Sequence, residues 1–150
     1  MSYKEKLTWE GKEVVVERQT SPVDVVVTNG TLPKLEKINV NDPSLRPSNY
    51  AKPDGTPLPI FQADGVRVDL SKRTKEPMNF WHRNLECDEL IFCYKGTIHW
   101  ETELGSMTLE AGEMFVIPRG IAHRSLPPAN SSTENIIIEL KVRGAISKLI

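Results

Sequence analysis

The chain has 150 residues, 39% of them hydrophobic and 26% charged, and its 19 Lys plus Arg against 20 Asp plus Glu leave a formal net charge of −1. A chain of this length buries roughly 70% of the surface its unfolded form exposes, so one core is expected and a second sizeable domain is not. The even charge balance excludes a polyanion-binding face, hence no nucleic acid, and no apolar run approaches the roughly 20 residues that cross a bilayer, hence no membrane.

In chain order, the N-terminus Met1-Ser2-Tyr3-Lys4-Glu5-Lys6 has no apolar signal-peptide region, which predicts a cytoplasmic protein. Short runs rich in Val and Ile then recur, and no window carries apolar residues at helical spacing, so the fold is expected to be all-β. Strands are expected over Val14 to Glu17, Val23 to Thr28, Gly65 to Leu70, Met78 to Arg83 and Glu89 to Tyr94. They continue over Thr97 to Thr102, Met107 to Glu110, Met114 to Ile117, Ala122 to Leu126 and Asn135 to Val142. Turn residues punctuate them, among them Asn29-Gly30, Asp64-Gly65, Lys95-Gly96 and Pro118-Arg119-Gly120. Strands this short and this regularly spaced suggest a sandwich or barrel. The stretch Asn41 to Pro59 carries Pro43, Pro47, Pro53, Pro57 and Pro59, cannot form a central strand, and is expected to be a long loop, either a lid or a surface wrap. Cys87 and Cys93 lack the paired spacings of a disulfide framework or a thiolate zinc site and are expected to be free.

The histidines are His82, His99 and His123. Two His and one carboxylate on one face of a metal leave positions open for substrate and oxygen, so their spacing matters. Gly112 to His123 reads G-x5-P-x-G-x2-H: a strand, a tight Pro-x-Gly turn, and a His opening the next strand. Upstream, His82 to Gly96 reads H-x-N-x4-E-x6-G. Strand alternation puts His82 with Asn84 on one face and Glu89 with Ile91 and Cys93 on one face of the next strand, so the first two donors can point into one barrel. Glu86 and Asp88 are rival carboxylates, although the E-x6-G spacing favours Glu89. His99 is read as a half-buried strand residue, and the aromatics Phe80, Trp81, Phe92, Tyr94 and Trp100 as core or interface. A substrate carboxylate would want an Arg fork. Alternation turns Arg83 and Arg124 away and Arg119 sits in a turn, which leaves Arg67.

These two motifs resemble those of the cupin superfamily, with Asn84 standing where its first motif has a second His. The resemblance implies a double-stranded β-helix, or jelly-roll barrel, in a single domain 1–150, with a core at about 64–143 and N-terminal strands and the Pro-rich arm over 1–63. Glu101 to Gly120, Asp24 to Val27 with Asn29-Gly30, and Trp81-His82-Arg83-Asn84 are similar to the homogentisate dioxygenase family. The Glu101 to Gly120 stretch resembles the half of that two-domain enzyme without metal, and His82-Arg83-Asn84 its metal-bearing half.

What the resemblance implies is a three-ligand set of His82, Glu89 and His123 for Fe(II), with Zn, Mn or Ni as alternatives, and Asn84 as a catalytic neighbour that donates a hydrogen bond to a bound ligand or water. The implied activity is a metal-dependent dioxygenase that joins O2 to a small dihydroxylated aromatic or enolic acid. The other readings of the same fold are a non-catalytic small-molecule binder or sensor and a metal-dependent isomerase or lyase. Exposed strand edges in so small a barrel suggest a homodimer, with the N-terminal strands and the Pro-rich segment as candidates for the exchange.

Overall fold

The computed structural model describes residues 2–19, 34–48, 50, 56–74, 76–128 and 134–150. The expected strand Val23 to Thr28 and its Asn29-Gly30 turn lie outside the described residues. Two compact units are present, Met1–Lys37 and Ile38–Ile150. No helix of the described residues is long and apolar enough to cross a membrane.

The first unit holds an antiparallel hairpin, β1 (Tyr3–Trp9) and β2 (Lys12–Arg18), with Trp9 opposite Lys12 and Glu10-Gly11 at positive φ in the turn. β2 covers the expected Val14 to Glu17; β1 was not expected from sequence. It lacks apolar alternation because both faces of the hairpin stay largely exposed.

The second unit begins its strands with β3 (Leu58–Ala63), earlier than the residue-64 start expected for the core. β4 (Val66–Arg73), β5 (Asp88–Lys95), β6 (Thr97–Thr102), β7 (Gly105–Glu110), β8 (Met114–Ile117), β9 (His123–Leu126) and β10 (Asn135–Val142) follow. They form a five-stranded sheet in the order β3-β4-β10-β5-β8 and a three-stranded sheet in the order β7-β6-β9, with all the pairings antiparallel. Ile91, Cys93, Ile117 and Ile137 from the larger sheet and Ile98, Trp100 and Leu109 from the smaller meet in one buried cluster. Burial of apolar side chains from both inner faces is what holds such sheets together.

Three expectations are corrected. Pro59 lies in a strand, not a loop; a missing N–H is tolerated there because β3 is an edge and its register shifts between Pro59 and Phe61. Met78 to Arg83 is not a strand. Its backbone bonds β9 at two points, where Met78 N donates to Ser125 O and where His82 and His123 form an isolated bridge. β4 runs on past Leu70 to Arg73, because Ser71, Lys72 and Arg73 are buried rather than solvated. The described part of the Pro-rich stretch wraps the surface: Lys72 Nζ donates to Asp42 O at 2.7 Å and Asn41 Nδ2 to the Tyr94 hydroxyl at 2.9 Å. Cys87 and Cys93 are both free, and Cys93 is buried.

Candidate functional site

Directly opposed residues of an antiparallel pair share a face, so one register explains the site. His82 and His123 exchange both backbone hydrogen bonds, at 3.1 and 2.8 Å, which sets their rings 4.3 Å apart centre to centre. In the larger sheet Glu89 lies opposite Lys141, and Lys141 opposite Arg67. Alternation therefore puts Arg67, Asp69, Ser71 and Arg73 of β4, Ile137, Glu139 and Lys141 of β10, and Glu89 of β5 on the inner face.

All of these side chains but Arg67 and Asp69 line a cavity of about 70 Å³. His82, His123 and Glu89 line one part of it, Ser71, Arg73 and Ser125 another, and Glu139 and Lys141 a third; Met78, Ile98, Trp100 and Ile137 supply the apolar wall. Pro57, from the end of the Pro-rich stretch, also reaches it.

His123 is 1% exposed, and its Nδ1 lies 2.9 Å from the carbonyl of Ile121. A carbonyl only accepts, so Nδ1 carries the proton and Nε2 is left with its lone pair when the ring is neutral. That Nε2 faces Glu89 Oε2 at 3.2 Å. Two lone pairs do not sit at that distance in a buried site without a cation between them, either a proton or a metal. Without metal the proton takes the place. Burial alone would lower His123, yet its hydrogen bond to Glu89 and the Ile121 carbonyl carry it above the ordinary value. Burial alone would raise Glu89, and the His123 bond and charge more than offset this.

His82 is held neutral: burial, with His123 beside it, pushes it down to about 4. Its Nδ1 is buried with no hydrogen-bond partner among the described residues. Asn84 Nδ2 donates to Glu89 Oε1 at 3.2 Å, while its Oδ1 accepts from the backbone N–H of Glu86 and Cys87. Asn84 thus acts on Glu89. The rival carboxylates lie elsewhere: Asp88 accepts from the Arg119 side chain and from the backbone N–H of Arg119 and Ile146, and Glu86 is exposed.

Among the described residues, no three His, Cys, Asp or Glu side chains stand in an arrangement that would hold a metal ion. The donors do fit one chemically. Ligands at adjacent positions around a metal, each about 2.1 Å from it, stand about 3 Å apart, close to the His123 to Glu89 separation, and His82 lines the same cavity as a neutral imidazole.

The charged wall was the part missed from sequence. Asp69 is fully buried and takes a fork from Arg67 at 2.8 and 2.9 Å, with Lys141 Nζ 3.0 Å from its Oδ2, which also accepts from Arg67 Nη2. Lys141 is also 3.6 Å from Glu139. Burial pushes Glu139 up to about 7, against the pull of Lys141. Arg67, the Arg fork expected from sequence, is on the inner face but at its rim, committed to Asp69 and lining a separate cleft. The Arg in the cavity is Arg73. Arg83, Arg119 and Arg124 pair with Glu103, Asp88 and Glu101 outside it, and His99 bonds Thr108. Of the aromatics, Trp100 is in the core, while Phe80, Trp81 and Tyr94 are exposed.

A double sheet closed around an inward set of two His and one Glu, from the motifs H-x-N-x4-E-x6-G and G-x5-P-x-G-x2-H, defines a cupin barrel. The chain belongs to the homogentisate 1,2-dioxygenase N-terminal family, whose model matches residues 59–141. It is similar in structure to a cupin-2 domain-containing protein from Shewanella frigidimarina, 27% identical over 71% of this chain and 94% of that one, with a TM-score of 0.53. A protein from Neisseria meningitidis is 23% identical over 71% and 99%, with a TM-score of 0.54. KdgF from a Halomonas species is 16% identical over 60% and 81%, with a TM-score of 0.52, a likeness of fold alone. No curated protein matches the chain. The fold and family suggest a metal cofactor in general terms.

Proposed function

We propose that this chain is a metal-dependent cupin dioxygenase acting on a small dihydroxylated aromatic or enolic acid, with Fe(II) held by His82, Glu89 and His123. The observation that carries the reading is the 3.2 Å approach of His123 Nε2 to Glu89 Oε2 with the tautomer fixed by the Ile121 carbonyl, an arrangement that asks for a cation. Bound there, a ferrous ion supplies Lewis acidity toward a substrate hydroxyl and the electrons that activate dioxygen. The rest is done by the chain. Ile121 aims the His123 ring, and Asn84 holds the free oxygen of Glu89, the kind of support that orients a ligand and raises its affinity. Trp100, Met78 and Ile98 keep bulk water out. Glu139, poised near 7, takes a proton at its carboxylate from an enolisable substrate.

The test is metal content by mass spectrometry on protein purified without chelators, followed by oxygen uptake on candidate acids. Near-stoichiometric iron and substrate-dependent oxygen consumption are expected; turnover indifferent to oxygen would refute a dioxygenase. A metal-free binding module is the second reading, favoured by the ion pair that His123 and Glu89 close on their own. We propose further that the protein is a homodimer, since a two-stranded hairpin with Trp9 and Val15 exposed is marginal alone. A clean monomer by light scattering at micromolar concentration would refute this.

A further inference from the structure

Arg73 ends β4 with its side chain turned inward, and the residue is 3% exposed. Its Nη1 donates to Ser125 Oγ at 2.6 Å and its Nη2 to Glu76 O at 3.2 Å. Its Nε is buried and has no acceptor among the described residues. Among the described residues no carboxylate contacts this guanidinium, whereas Arg67, Arg83, Arg119, Arg124 and Lys141 each have one within 3.4 Å. Burial draws Arg73 down to about 10, which still leaves it charged at neutral pH. A buried cation with an unpaired donor, whose nearest carboxylate charge, Glu139, acts on it across the cavity without contact, is costly to fold, and a protein that keeps one lining a cavity has a use for it.

Geometry defines that use. Ser125, which takes Nη1, is two residues from His123 on the same face of β9, about 7 Å along the strand. A ligand seated on Arg73 therefore reaches the His123 and Glu89 end with atoms close to its carboxylate. The cavity of about 70 Å³ has room for about five waters, at roughly 15 Å³ of this kind of volume each. A volume this small favours a short ligand over a substituted aromatic ring, since a cavity that takes benzene has roughly 150 Å³. Ser71 lines the same end and offers a hydroxyl.

We propose that Arg73 is the carboxylate anchor of this cavity and that its ligand is a small aliphatic 2-oxo or enolic monocarboxylate. Calling the ligand a substrate rests on the dioxygenase reading; the anion site itself does not.

The test is isothermal titration calorimetry on chelator-treated full-length protein, with pyruvate as probe, hydroxyacetone as its uncharged counterpart and 2,3-dihydroxybenzoate as the aromatic alternative. Pyruvate is expected to bind and the other two to bind at least about 10-fold more weakly. Arg73→Met, which replaces the charge by an apolar chain of similar reach, should weaken pyruvate about 10- to 100-fold, the range for loss of a charge-assisted hydrogen bond. The same variant should unfold at the same or a higher temperature, which a purely structural arginine would not allow. Arg73→Lys keeps the charge and loses the fork, and carries the test if Arg73→Met does not fold: a weakening of about 10-fold is expected. Pyruvate binding unchanged in these variants, equal binding of hydroxyacetone, tighter binding of the aromatic acid, or no pyruvate binding to the wild type would overturn the inference. Arg73-dependent pyruvate binding with no oxygen uptake on any of the candidate acids in the iron-loaded protein would refute the dioxygenase reading and leave the anchor standing.

Discussion

Replacing Glu139 by Gln should stabilise the protein in a pH-dependent way. Glu139 lies on the inner face with its side chain 13% exposed, its cation Lys141 lies nearer to Asp69, and its carboxyl is pushed from 4.5 up to about 7. A carboxyl raised in the folded state is protonated there while the unfolded chain has already released its proton, so between those two pH values the folded state binds more protons. Stability is therefore highest below pH 4.5 and falls as pH rises toward 7. At about 1.4 kcal/mol per pH unit, a rise from 4.5 to about 7 amounts to about 3 kcal/mol by pH 8. The amide of Glu139→Gln keeps the shape and does not titrate. Its advantage over the wild type should grow by about 3 kcal/mol between pH 4 and pH 8, roughly 6 to 12 °C in Tm for a domain of this size. Thermal melts of both proteins in chelator, at half-unit steps of pH, give the difference directly. His82 contributes the opposite slope, since its folded value of about 4 makes stability fall as pH drops below about 6.5, but this cancels in the difference. Two parallel curves would refute the reasoning and would mean that Lys141 ion-pairs Glu139 fully.

Metal content should be lost in both His82→Ala and His123→Ala, read by mass spectrometry on protein whose thermal unfolding remains cooperative; metal retained in either would remove that residue from the ligand set. Asn84→Ala frees Glu89 Oε1 from its donor and should weaken metal affinity by about 10- to 100-fold, measured by competition with a chelating dye. Unchanged affinity would limit Asn84 to capping the turn before β5. Gly96→Ala should cost about 3 kcal/mol in urea unfolding, because Gly96 has φ +84° and a Cβ there would collide with the Asn135 amide whose Oδ1 accepts from Thr97 N. A loss under 1 kcal/mol would show that Asn135 can move aside.

Much of the fold is legible because its strands alternate. β6, β8 and β10 begin and end where Thr97 to Thr102, Met114 to Ile117 and Asn135 to Val142 suggest. The failures share a cause. β1 faces solvent on both sides and so has no period to read, β3 opens with an edge proline, and the Ser71-Lys72-Arg73 end of β4 resembles a turn by composition although all three residues are buried. Met78 to Arg83 has apolar residues like a strand, but its backbone bonds β9 only at Met78 and His82 among the described residues. Composition reports what a side chain prefers; which backbone groups find partners depends on elements far away in the chain.

The site divides along the same line. His82, Glu89 and His123 are legible because their motifs pair them with turn residues, and turns have local signatures. Arg73, Glu139 and Lys141 have none, and ending β4 at Leu70 removes Arg73 from view. A signal was nonetheless present in β10. In Ile136-Ile137-Ile138-Glu139-Leu140-Lys141-Val142, alternation puts Glu139 and Lys141 on the face of Ile137, and that face is buried. Charges on the inward face of a central strand cost stability, so they mark a polar cavity or a network rather than solvent. Here they mark both: Lys141 is shared between Asp69 and Glu139, and the cavity beside them keeps in Arg73 a cation that no carboxylate among the described residues contacts. The barrel's donors identify where a metal would sit, but the charge left over on the opposite wall says more about the ligand, since it must bring a carboxylate.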